Sequence, residues 1–165
     1  MNRPQRIIAV IDLFDPHEQV VRLASHKRRM EGVEVRFVTL FDHLTWRQDD
    51  GCEISSTERF RQSEHALLER LQHDLRRCGV QDPDCQVISG SPSSELSLMA
   101  KAWGCDLILT DWDTARVLQN GWVPYFQTVT PMPCPIHRVM PDPRRVGQAM
   151  MEPLLRFANL LGAGR

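Results

Sequence analysis

Apolar runs rich in β-branched residues recur along the chain at 7–11, 33–40, 85–88, 107–110 and 136–140, each separated from the next by a segment long enough for a helix. Runs such as IIAVI and DLILT are apolar at nearly every position, which requires burial on both faces of a sheet. The spacing predicts an α/β fold: a doubly wound, five-stranded parallel sheet with helices on both faces.

Helix starts are marked by capping residues. Asp15, Pro16 and Glu18 combine an N-cap side chain, a proline for the first turn and a glutamate, predicting a helix that runs to about Met30 and stops at Gly32. Ser55, Ser56, Thr57 and Glu58 predict a second start, ahead of an apolar stripe of Phe60, Leu67, Leu68, Leu71, Leu75 and Cys78 that ends at Gly79. Ser91-Pro92 predicts a third helix, with Leu96, Met99, Ala100 and Trp103 facing inward. Residues 42–54 lack periodicity and read as a loop; 111–135 read as irregular connection around a short helix at 114–119. The tail places Val146, Met150, Leu154, Phe157 and Leu161 at helical spacing, interrupted by Pro153. A domain over 1–142 and a helical tail over 143–165 follow.

Composition narrows the function without naming it. The 165 residues suit one domain, and a net charge of −1 gives no broad attraction to nucleic acid or anionic lipid, so neither partner is expected. No apolar run approaches the ~20 residues that span a bilayer. A cytoplasmic location without membrane attachment is the expectation. Five scattered cysteines, Cys52, Cys78, Cys85, Cys105 and Cys134, form no C-x-x-C pair and read as reduced structural thiols. The six histidines fall in no ligand spacing, G-x-S-x-G is absent, and Cys134 and His137 at odd strand spacing point to opposite faces. No enzyme is expected, since no catalytic constellation is visible. The Lys27-Arg28-Arg29 run suits the negative end of a helix dipole better than a nucleic-acid patch.

In such a sheet, ligands bind beyond the carboxyl ends of the strands. There the chain resembles the universal stress protein family. VISGSPSSELSLMAKAWGCDLILT resembles that family's third strand, glycine turn, helix and buried fourth strand; PMPCPIHRV resembles its closing strand; RIIAVID and EVRFVTLFD match its first two strands in position and pattern. The resemblance covers about residues 6–140. It implies a domain acting as a homodimer that contacts another protein, with the fifth strand at or near the interface. It also implies cleft positions at Asp12, Leu40 and Gly90 as candidate ligand-binding residues.

Many members of the family bind ATP through a loop after the fourth strand, with two glycines three apart and a later glycine followed by serine or threonine. Here the two glycines fall on Asp111 and Thr114, and the later pair on Trp122-Val123, or on Gly121-Trp122 in a register shifted by one. Asp111 and Asp113 would face a polyphosphate, and like charges repel strongly in a partly dry site. Leu13 and Phe14 stand where the family has small residues and are expected to crowd a nucleotide, so glycines at 111 and 114 alone would not restore binding. No cofactor is expected, ATP included. Two alternatives remain: Asp12, Asp111 and Asp113 converging on a cation, and a sensor of a nucleoside or a nucleoside monophosphate using the same cleft.

Overall fold

The computed structural model describes residues 3–13, 18–41, 56–120 and 130–140, without the side chains of 56–60 and 120. In chain order these form β1 (Arg6–Val10), α1 (Glu18–Glu31), β2 (Glu34–Phe41), α2 (Ser56–Arg77), β3 (Asp84–Ser89), α3 (Pro92–Trp103), β4 (Leu107–Asp111), α4 (Trp112–Asn120) and β5 (Ile136–Val139). All strand pairings are parallel, in the order β3-β2-β1-β4-β5. The caps expected at Asp15-Pro16 and Ser55, the loop at 42–54 and the whole tail, with the 142/143 division, lie outside the described residues.

Side-chain alternation on the central strands divides the core into two layers. Ile7, Ala9, Val35, Phe37 and Leu109 join Val20, Val21 and Ala24 of α1 and Leu67, Leu71 and Leu75 of α2. Ile8, Val10, Val38, Ile88 and Ile108 face the other way, against Leu96 and Ala100 of α3 and Leu118 of α4. Register places like against like, with Ala9 beside Phe37 and Ile8 beside Ile108. Ile7, Ile8, Phe37, Leu71 and Leu96 are fully buried, and each such side chain contributes about 1.5–3 kcal/mol relative to exposure.

The third helix ends as its sequence dictates. Gly104 takes the left-handed conformation (φ 68°), and its N–H bonds the Ala100 and Lys101 carbonyls, a conformation glycine reaches without a Cβ penalty. At the other end Ser91 is the N-cap residue, but its hydroxyl makes no capping bond; it donates instead to Ser94 Oγ at 3.4 Å. The basic run of α1 stays within the fold: Lys27 pairs with Glu31 at 3.1 Å and Arg28 donates to the Gln81 carbonyl at 3.1 Å.

A polar cluster ties the amino ends of the strands together. Asp106 accepts the Arg6 backbone N–H at 2.9 Å and the Arg3 guanidinium at 2.7 Å, and these bonds, the backbone one foremost, hold its carboxyl below the usual range. Because the folded value is depressed, its stabilising effect is present above the ordinary carboxylate pKa and fades as pH falls through the lower folded value. Asp106→Asn should therefore lower the thermal midpoint at pH 7, with the gap to the parent closing in acid; a gap that stays constant to pH 2 would contradict the assignment.

Candidate functional site

The sheet's switch point lies between β1 and β4, because connections run one way from β1 through β2 to β3 and the other way through β4 to β5. A ligand is expected beyond the carboxyl ends there. Asp12 follows β1 and is half-buried, while the ladder runs one residue past the strand through the Ile11 N–H to the Val38 carbonyl at 2.7 Å. Leu40, near the end of β2, is half-buried against the second core layer and pairs with Ile88 of β3. Gly90 follows β3 at φ 107°, and a Cβ there would meet only Glu95 Cγ, at 3.8 Å. The three residues thus line the carboxyl edge of three adjacent strands.

At the fourth strand the short helix expected at 114–119 is present and starts two residues earlier. Helix α4 begins directly at Trp112, and Asp111 is its N-cap, accepting the Thr114 N–H on Oδ1 at 2.8 Å. Asp111 is 2% exposed, whereas Asp113 is exposed. The pair does not present two carboxylates to one ligand; one is engaged at the helix start and the other lies in solvent. Among the described residues no group of three or more His, Cys, Asp or Glu side chains is placed to hold a metal ion, so Asp12, Asp111 and Asp113 do not assemble a cation site.

Leu13 requires a second correction. It is 2% exposed and packs in the α1–α2 core layer, and its carbonyl accepts the Arg70 guanidinium at 2.8 Å. An apolar side chain beside that layer gains more by burial than by projecting into a polar cleft, so Leu13 does not crowd a nucleotide. Phe14, Gly121, Trp122 and Val123 lie outside the described residues.

Helix α3 also holds the chain entering β5. Ser94 Oγ and Thr130 Oγ1 are 2.8 Å apart, and Ser97 Oγ donates to the Pro131 carbonyl at 3.0 Å. On the same helix an open cleft of about 610 Å³ runs beside edge strand β3, lined by Arg36, Gln86, Ile88, Leu98, Met99 and Trp103 among others. Arg36 is already committed, its guanidinium 4.5 Å from the Trp103 ring centre and its Nε 2.9 Å from Asp84.

A five-stranded parallel sheet in this order, with helices on both faces, places the chain among doubly wound α/β proteins whose ligands sit at the switch point. The model of the universal stress protein family matches residues 4–115, and the chain belongs to that family. A solved protein from the universal stress protein family of Burkholderia pseudomallei is 16% identical with a TM-score of 0.50, over 84% of this chain and 96% of its own. An Arabidopsis thaliana protein of the family, solved with AMP bound, is 13% identical with a TM-score of 0.46, over 86% and 94% of the two chains. A universal stress protein in complex with cAMP is 13% identical with a TM-score of 0.47, over 83% and 98%. No curated protein sequence matches significantly. Among the described residues no helix is long and apolar enough to cross a membrane.

Proposed function

We propose that this chain is a noncatalytic, cytoplasmic universal stress protein that works as a homodimer contacting another protein, and that it takes no ATP in the manner of the nucleotide-binding members. The observation that carries this reading is the Asp111 cap. A phosphate at a helix start is held by free backbone N–H groups and the positive end of the dipole. Here a buried carboxylate of the chain's own occupies that place, so an incoming phosphate would have to displace it or lie against its charge.

Isothermal titration with ATP and magnesium is expected to give no heat beyond dilution. A micromolar dissociation constant would overturn the reading. A second reading, a sensor for a nucleoside or a nucleoside monophosphate, is favoured by the open backbone at Gly90 beside Leu40 and Asp12. The same titration with adenosine and AMP decides it; a ligand at a hundred times its dissociation constant raises stability by roughly 2.7 kcal/mol, which a thermal shift detects.

A further inference from the structure

Two thiols distant in sequence meet where β4 and β5 begin. Cys105 lies three residues before Ile108, and Cys134 two residues before its ladder partner Ile136; the Ile108 N–H donates to the Pro135 carbonyl at 3.0 Å, fixing the two approaches side by side. Both cysteines pack on the second core layer, near enough that a charge on Cys105 bears on Cys134. Both are reduced in the structure. Cys105 is 9% exposed and its Sγ donates to the Leu107 carbonyl at 3.2 Å, whereas Cys134 is half-buried and the more accessible of the two.

We propose that Cys105 and Cys134 are a covalent modification site, closing to an intramolecular disulfide on reaction with a small disulfide of the glutathione class. The Cys134 thiolate attacks one sulfur of the reagent; the reagent's S–S bond breaks, a mixed disulfide forms on Cys134 Sγ, and a small thiolate leaves and takes up the proton that Cys134 released. Cys105 then loses its proton and attacks Cys134 Sγ, expelling the second small thiolate, which is protonated in turn. Two protein thiols are oxidised by two electrons, and one small disulfide is reduced to two thiols.

The surroundings make the reduced pair persistent. Burial, joined by the charge of a neighbouring thiolate, pushes the Cys134 thiol up to about 12, and burial likewise raises Cys105. Little thiolate is present at neutral pH, so the pair closes only under sustained excess of the disulfide.

The test is peptide mapping of the whole chain after incubation with excess glutathione disulfide. The expected product is a 105–134 cross-link, about 2 Da lighter than the two free thiol peptides and lost on reduction; exposed Cys78 should meanwhile carry a stable adduct. Cys134→Ser, checked for folding by circular dichroism, should abolish the link and leave Cys105 unmodified. A lasting glutathione adduct on Cys134 with no 105–134 link, or a link from Cys134 to any other cysteine, would overturn the proposal.

Discussion

Phe37→Ala should lower the unfolding free energy by about 3–5 kcal/mol, moving the denaturant midpoint sharply down with little change in slope. Among the described residues Phe37 is the largest fully buried side chain, and it sits on β2 between Ala9 of the neighbouring strand and the paired Cys85. Its ring fills the layer shared with α1 and α2, and rigid strands on either side cannot collapse into the void. Domains of this kind have about 5–15 kcal/mol in total, so the variant should unfold substantially near body temperature. Leu98→Ala, by contrast, removes a side chain 61% exposed on α3 and should change stability by less than about 0.5 kcal/mol. A loss under 1 kcal/mol for Phe37→Ala would mean that the two-layer core is packed differently.

That contrast also explains which parts of the fold could be read in advance. A strand buried on both faces needs apolar residues at consecutive positions, so IIAVI and DLILT declare themselves without tertiary information, and all five predicted runs are strands to within one residue. Gly32 and Gly79 similarly announce the ends of α1 and α2, because both take a positive φ that suits glycine.

The candidate site was less legible because its residues act through contacts between segments. Asp111 looked like a charge aimed at a ligand; its local signal as a cap was present, an aspartate just before Ala115 and Leu118 at helical spacing, but the short helix was expected to start two residues too late. Leu13 looked like an obstruction because sequence does not say which way a side chain turns after a strand ends. The meeting of Cys105 with Cys134 depends on the β4–β5 register, which no local pattern encodes. Asp12, Leu40 and Gly90 were legible as strand-end positions only, because their chemistry depends on what enters the cleft.

Arg138→Pro should convert the expected homodimer into monomers, weakening association by roughly 5- to 150-fold. Strand β5 is an edge of the sheet among the described residues, and an edge strand is a natural place for a second copy to pair. In the ladder with β4, the Pro135 carbonyl faces Ile108, so by alternation the N–H groups of Ile136 and Arg138 point away from β4. A two-fold axis would use each such group twice, and losing one hydrogen bond per protomer costs about 0.5–1.5 kcal/mol each, or about 1–3 kcal/mol per dimer. Proline removes that N–H while leaving the inner ladder intact; the Arg138 side chain, which lies 4.6 Å from the Trp112 ring centre and donates to Gln119, is the collateral loss. Arg138→Ala separates the two effects, since it deletes those contacts and keeps the N–H. Val139→Asp would be a poorer probe than its place in the strand suggests, because Val139 packs against the protomer's own α1–α2 layer and a carboxylate there destabilises the monomer itself. Light scattering reads the result: about twice 19.0 kDa for the parent and Arg138→Ala, and close to 19.0 kDa for Arg138→Pro at low micromolar concentration. A parent mass of one chain would defeat the dimer, and an Arg138→Pro protein that stays dimeric would move the interface away from β5.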